Sequence, residues 1–537
     1  MFPQRDESWQ ALCDHAAGPW DLIVVGGGVT GAGILREAAA RGHRSLLLEQ
    51  RDFCWGTSSR SSKLVHGGLR YLAAGNFRLT RHALQERERL LREAPWLVRR
   101  LPFCFPLYRG EFPPRLAAGL LFWLYDRLAG IDDHRAMGIA ELREWFPGLD
   151  ADGVSVAYRY TDAVTDDARL VLRILGESLH AGAAARNYSK VTDLLREPGA
   201  ARPGRVRGVL VRDTVNGETT ELEARVVVNA TGAWADRLGS PPPQDLRVHP
   251  QRGSHLVLDA ARFPAPAAIY LRHPDDGRRL FVYPWEGRTI VGTTDLPHGQ
   301  DLDTVACITA AELHYLLSAA RLLFASRPPR AADVISTWSG VRPIIAAGPV
   351  GRPSRASREH QVWSEPGLVS CSGGKLTTFH HMAVDVLERA AQDLASSSKS
   401  KARRADSGQR IFREDPLGPA DLPGLDRAQA ERLLGRFGPE ARQLVAGAAA
   451  EDLQPLGDSG ACAAELRWSL RHEAVVHLDD LLLRRSRLGL LTPAGGAAVL
   501  DTVRRLCGEA GGWDAERWSF ELERYRGIIR DYYSVPR

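Results

Sequence analysis

Residues 21–25, Asp-Leu-Ile-Val-Val, form a nearly unbroken apolar run, the pattern of a strand buried on both faces. A glycine-rich turn, Gly26-Gly27-Gly28-Val29-Thr30-Gly31, follows, then a helical stretch to Arg41 and a second apolar run from Ser45 that ends on Glu49. This is one strand–helix–strand unit with an acid at the end of its second strand. Farther along, the spacing predicts a charged helix over 82–94. A second helix is expected to run from a Thr165-Asp166-Asp167 cap to about His180. Residues 206–230 alternate like a hairpin turning at Asn216-Gly217, and 279–294 and 360–372 repeat that pattern around Glu286-Gly287 and Pro366-Gly367. Thr309-Ala310-Ala311-Glu312 is a capping box for a helix to about Ala325, and Gly373-Gly374 leads into a helix from about Lys375 to Leu394. The stretch 395–409 is rich in Ser, Lys and Arg and reads as a linker, and 410–537 reads as almost wholly helical.

This interleaving predicts an α/β (α+β) chain: a Rossmann-like nucleotide-binding domain, an inserted antiparallel-sheet substrate domain, and a C-terminal helical domain. The expected boundaries are 1–78, 150–245 and 330–395 for the first, 79–149 and 246–329 for the second, 396–409 for the linker and 410–537 for the third.

Gly26, Gly28 and Gly31 fit the dinucleotide fingerprint: a tight turn, a close approach of pyrophosphate to backbone, and close helix–strand packing. Glu49 lies where it can bind ribose hydroxyls. The run Thr57-Ser58-Ser59-Arg60-Ser61-Ser62-Lys63 can wrap a pyrophosphate or a flavin, and Ala230-Thr231-Gly232 can close over the cofactor. Three cations sit in glycine or turn contexts: Arg70 after His66-Gly67-Gly68-Leu69, Arg342 in Ser339-Gly340-Val341-Arg342-Pro343, and Lys375 in Gly373-Gly374-Lys375-Leu376-Thr377-Thr378. Convergent cations suit a small phosphate ester.

Composition changes the picture in three places. A net charge of +5 over 537 residues is too mild for a nucleic-acid footprint. The seven cysteines include no C-x-x-C, so neither a disulfide framework nor a metal site is expected. Only five of the 70 basic residues are lysines, at 63, 190, 375, 399 and 401, so a lysine hints at a place where arginine would not serve. The N-terminus carries Arg5, Asp6 and Glu7 and no apolar core, so no signal peptide is expected. The longest apolar run, Leu116 to Tyr125, is ten residues, against about 20 needed to span a bilayer. With Arg115, Arg127 and Trp123 it reads as an interfacial element.

Together these motifs resemble one family, the FAD-dependent sn-glycerol-3-phosphate dehydrogenases of the bacterial respiratory, membrane-associated type. The resemblance rests on Asp21–Gly33, Thr57–Tyr71, Asp166–Leu172, Asn229–Trp234, Gly253–Val257, Gly292–Asp295, Ser339–Pro343, Gly373–Thr378 and the segment Glu465–Arg485. It implies non-covalent FAD held by Gly26, Gly28, Gly31, Glu49, Thr57, Ser58, Ser62, Lys63, His66, Gly67, Ala230, Thr231, Gly232, Gly374, Leu376 and Thr377. It also implies substrate binding by Arg70, Tyr71, Arg342 and Lys375, with His255 as the base and Arg342 beside the developing alkoxide. The implied partners are glycerol 3-phosphate, a ubiquinone or menaquinone, and an anionic membrane surface on the cytoplasmic side. Oligomeric state, a homodimer among the options, stays open. The alternatives are an oxidase of the same substrate using O2, a flavin-binding regulator without turnover, and a flavin amino-acid oxidase. The chain departs from the family's usual Tyr-Arg at Phe379-His380 and from its Ala-Thr-Gly-Pro-Trp at Ala233.

Overall fold

The computed structural model describes residues 2–14, 18–73, 75–110, 114–198, 204–242, 246–347, 360–395 and 410–536. The linker expected over 396–409 lies outside them.

The apolar run at 21–25 forms strand Trp20–Val25 at the centre of a parallel sheet. It pairs with Ser45–Leu48 on one side and Thr219–Asn229 on the other, and the sheet extends to Leu368–Ser372 and Ala184–Arg186. Leu22, Ile23, Val24, Leu46, Leu47 and Leu48 are all buried, as strands covered on both faces require. Helices Val29–Ala40, Asp167–His180 and Phe379–Leu394 pack on this sheet. Asp166 caps the second of these by accepting from Arg169 N. The hairpin expected at 206–230 is present as Val206–Asp213 against Thr219–Asn229, with Gly217 at φ +84° in the turn. The capping box is present too: Thr309 and Glu312 satisfy each other's backbone at the start of Ala310–Leu323.

A second, ten-stranded sheet is mostly antiparallel and carries the opposite wall of the site. Its longest pairing joins Leu246–Asp259 to Val334–Ala347. Three of its strands fall outside the expected boundaries, the shortest being Leu64–Val65, which pairs with Ala163 and Val164. Val154–Val164 pairs along its length with Arg99–Tyr108, and Val334–Ala347 with Leu246–Asp259, so both belong to this sheet and not to the nucleotide-binding one. Alternation in the sequence announces a strand but does not name its partner.

Residues beyond 410 form helices, the longest being Ala515–Ile528, Leu500–Gly511 and Arg427–Phe437. They dock through buried charge rather than apolar surface alone. Asp52 accepts from Arg485 Nη1 at 2.6 Å and Nη2 at 2.8 Å, and also pairs with Arg484. Asp166 meets Arg436 at 2.9 Å and Arg487 at 2.8 Å, and Arg487 also pairs with Asp167. Burial pushes the Asp166 carboxyl up, but Arg487 and Arg436 outweigh it and hold the group well below the usual carboxylate range.

Asp52→Ala should therefore leave two buried guanidiniums without their shared acceptor. Removing one partner of a buried pair costs about 3–5 kcal/mol. Chemical denaturation of the variant is expected to show its midpoint lowered by that amount of stability. An unchanged midpoint would mean that the C-terminal helices dock without this pair.

Candidate active site

The two sheets face each other across a cavity of about 880 Å³. One end is built by the first strand–helix turn. Gly26 sits at φ +113°, where a Cβ would lie 2.6 Å from Ala230 O, so only glycine fits. A Cβ at Gly31 would collide with Gly26 O, which fixes how closely helix and turn pack. Gly28 caps helix Val29–Ala40 with no side-chain acceptor of its own, and Val29 N donates to Ser58 Oγ at 2.9 Å. Glu49 lines the same end and accepts from Gly27 N at 2.7 Å and Arg51 N at 2.9 Å. Burial raises its pKa against the pull of those two N–H groups. The opposite edge is closed by Ala230, Thr231 and Gly232 and by the turn Gly373–Thr377.

The other end is cationic. Arg342 is reached by Asp295 Oδ1 at 3.2 Å and by Thr293 Oγ1 at 3.1 Å. A Cβ at Gly253, across the strand pair, would strike the Arg342 guanidinium, so glycine leaves the space that this side chain fills. Lys375 Nζ lies 3.5 Å from the centroid of the Tyr71 ring, and both residues line the cavity. His66, Tyr270, Arg278 and Arg279 also line it, and Arg278 approaches Asp295 at 3.7 Å. Sequence reasoning passed over Tyr270, Arg278 and Arg279. Tyr270 lies on the inner strand Ala268–Arg272, and Arg278 and Arg279 follow the turn Asp275-Asp276-Gly277, which carries no cofactor or substrate motif.

The expected site residues therefore divide. Gly26, Gly28, Glu49, Thr57, Ser58, Ser62, His66, Tyr71, Ala230, Thr231, Gly232, Arg342, Gly374, Lys375, Leu376 and Thr377 all lie on the cavity wall. Among the described residues Gly31, Lys63, Gly67 and His255 do not. Gly31 serves packing, and Gly67 N donates to Tyr125 Oη at 2.9 Å. Lys63 Nζ is fully buried against Asp167 at 2.9 Å and Ser59 O at 3.1 Å, away from the cavity wall. Burial draws its ammonium down to about 8 despite Asp167. His255 is buried with Nε2 2.8 Å from Ser62 Oγ and its ring stacked on Trp338 at 4.7 Å. Burial, then Arg342 and Lys63, lower its pKa well below the ordinary histidine value. The backbone of Arg70 lies in helix Leu69–Ala73, and its side chain lies outside the described residues. Phe379 and His380 do not reach the cavity. Phe379 packs against Gly33, and His380 sits between Glu37 and Glu86, each at 3.6 Å.

The family model described as "FAD dependent oxidoreductase" matches residues 21–383, and that for the "C-terminal domain of alpha-glycerophosphate oxidase" matches 378–518. The chain belongs to the FAD dependent oxidoreductase family. A glycerol-3-phosphate dehydrogenase of Mycobacterium leprae is 36% identical over 98% of this chain and 93% of its own. An aerobic glycerol-3-phosphate dehydrogenase of Staphylococcus haemolyticus is 31% identical over 87% of this chain and 86% of its own. The solved glycerol-3-phosphate dehydrogenase of Bacillus halodurans, complexed with FAD, superposes with a TM-score of 0.77 at 27% identity and covers 98% of each chain.

The residues present fit this family's cofactor. The cavity wall includes Gly26, Gly28 and the start of helix Val29–Ala40, the hydroxyl residues Thr57, Ser58 and Ser62, and the turn backbone at Ala230–Gly232 and Gly373–Thr377. Gly28 is the sharpest test, because a Cβ there already lies 3.1 Å from Ser58 Oγ. Gly28→Val is expected to purify without flavin absorbance while keeping its far-ultraviolet circular dichroism. A fully yellow variant would place the pyrophosphate elsewhere.

Proposed function

We propose that the chain oxidises sn-glycerol 3-phosphate to dihydroxyacetone phosphate with FAD as its non-covalent acceptor, and that its electrons leave to a membrane quinone. The observation that carries the substrate is the joining of a cationic pocket to the flavin cradle in one cavity. Arg342, Lys375 and Arg278 supply positive charge at the end away from the helix N-terminus. A carboxylate-binding amino-acid oxidase would not need three cations there, and the curated relatives quoted above carry the glycerol-3-phosphate name.

FAD, when bound, supplies a two-electron acceptor for the hydride on C2. The chain's own residues do the remainder. Lys375 binds the phosphate and fixes which carbon faces the cofactor, with Tyr71 holding Lys375 through its ring. Asp295 and Thr293 hold the Arg342 guanidinium in place. Arg342 stays cationic at every working pH and stabilises negative charge on the C2 oxygen. His255 takes up the hydroxyl proton. Burial, then Arg342 and Lys63, disfavours its charged form, so the imidazole is neutral and able to accept at neutral pH.

Lys375→Ala should lower kcat/KM for glycerol 3-phosphate by about 30-fold to several thousand-fold, since truncating one partner of a buried charge pair costs roughly 2–5 kcal/mol. The loss with unphosphorylated glycerol at high concentration should be small. Equal losses for the two substrates would assign Lys375 to the flavin or the fold.

The acceptor side rests on helix Arg115–Ala129. Among the described residues no helix is long and apolar enough to cross a membrane. On this helix Leu116, Leu120 and Trp123 are 89%, 63% and 44% exposed, at the i, i+4, i+7 spacing of one face. Arg115 and Arg127 flank them, exposed, for anionic headgroups. The opposite face supplies Ala118, Leu121 and Phe122 to the cavity wall. The surface face is thus Leu116, Leu120 and Trp123, whereas Phe122 is core and Leu121 is half-buried. A lipid-soluble acceptor would meet the cavity from this side. Leu120→Glu with Trp123→Glu should move the protein from membrane to soluble fractions. Reduction of the flavin by glycerol 3-phosphate should persist while activity with a long-chain quinone falls. High salt should release part of the wild type, because the arginine contribution is screened. A double variant that stays membrane-bound with full quinone activity would place the anchor elsewhere, and stoichiometric peroxide under air would favour the oxidase alternative.

A further inference from the structure

Among the described residues His255 has no place on the cavity wall, whereas Ser62, to which its Nε2 is joined at 2.8 Å, has one. We infer that Ser62 is a catalytic proton relay, passing the C2 hydroxyl proton of the substrate to His255. This inference rests on the glycerol 3-phosphate reading above and adds to it the route that the proton takes.

Three features hold the pair in line. The ring of His255 is fixed by stacking on Trp338, its cross-strand partner, at 14° between planes. On another side stands Gly292, where any Cβ would strike the imidazole. These two contacts fix the plane of the ring and its place in the strand pair. The backbone of Ser62 is fixed in turn, because its carbonyl accepts from Tyr283 Oη at 2.6 Å and the carbonyl of Ser61 accepts from Trp338 Nε1 at 3.1 Å. Ser61 is itself anchored through its N and Oγ to Asp167 at 2.9 and 2.7 Å. A hydroxyl both donates and accepts, so Ser62 can hand one proton on while receiving another and never carry net charge.

The balance is simple. The C2–H bond breaks with its electron pair, which leaves as hydride to the two-electron acceptor. The substrate O–H proton goes to Ser62 Oγ as the Ser62 proton goes to His255 Nε2. The C2–O bond becomes a carbonyl, and His255 becomes an imidazolium that later yields its proton to solvent. The relay requires Nε2 to be the acceptor in the resting enzyme, so Nδ1 carries the hydrogen. Nδ1 has no hydrogen-bond partner among the described residues.

Anaerobic stopped-flow reduction of the flavin-loaded protein by glycerol 3-phosphate tests the relay. Ser62→Ala is expected to slow reduction by about 10²–10⁴-fold, the range for loss of proton transfer, with substrate affinity kept. Ser62→Thr, which keeps the hydroxyl, should recover most of the rate. Ser62→Ala with His255→Gln should be no slower than the slower single variant, because both lie on one path. The wild-type rate should stay flat as pH falls through the ordinary histidine range and drop only below it. Independently of any Ser62 variant, ¹⁵N spectra of the oxidised wild type, with His255 assigned through His255→Gln, should show the Nδ1–H tautomer. Ser62→Ala reduced at the wild-type rate, multiplicative losses in the double variant, or an Nε2–H tautomer would each overturn the relay. A wild-type flavin that glycerol 3-phosphate does not reduce would instead overturn the functional reading on which it rests.

Discussion

Everything in the cavity depends on keeping a hydroxyl-rich loop rigid, and buried charge does that. Asp167 receives Ser61 through N and Oγ, Lys63 through Nζ, and Arg487 from the C-terminal helices. Arg487 also donates to Ser59 O at 3.2 Å, and Asp166 and Asp52 gather three further arginines around the same region. Ions removed from water are tolerated only when paired and fully hydrogen-bonded. Once formed, such a set has one geometry, and that geometry places Thr57, Ser58 and Ser62 on the cavity wall.

The second sheet contributes through register. Leu246–Asp259 lies against Val334–Ala347 so that Gly253 faces Gly340, His255 faces Trp338 and Gln251 faces Arg342. Slipping the pair by one residue would send every one of these side chains to the opposite face. Beneath it, Glu312 accepts from Ser254 at 2.8 Å and from Thr294 at 2.7 Å and pairs with Arg252. The capping residue of one helix thus also locks the strand that carries His255.

Much of this was legible in the sequence, for local reasons. Gly26, Gly28, Gly31 and Glu49 lie within one strand–helix–strand unit, and the hairpins announce themselves by turn residues such as Asn216-Gly217 and Pro366-Gly367. What local pattern cannot carry is the partner. Lys63 ends the hydroxyl-rich run, and its ion-pair acceptor Asp167 lies 104 residues away. Val154–Val164 lies in a segment expected to be nucleotide-binding, and its pairing with Arg99–Tyr108 assigns it to the other sheet. His255 stands out through the family resemblance, while the hydroxyl that faces it is separated by 193 residues. Arg278 and Arg279 follow the turn Asp275-Asp276-Gly277, which marks a hairpin but not what it faces, and their place at the cavity emerges only on folding.

Arg60, on the cavity wall, donates from Nε to Tyr533 Oη at 3.0 Å, across a separation of 473 residues. During synthesis at about 5–20 residues per second, roughly half a minute to a minute and a half passes between the emergence of the two. For most of that interval Asp52, and Asp166 and Asp167 once they are made, lack the arginines at 484, 485 and 487 that pair with them. On the ribosome, therefore, the first strand–helix unit can form early, but the loop that completes the cofactor's cradle must wait for nearly the whole polypeptide.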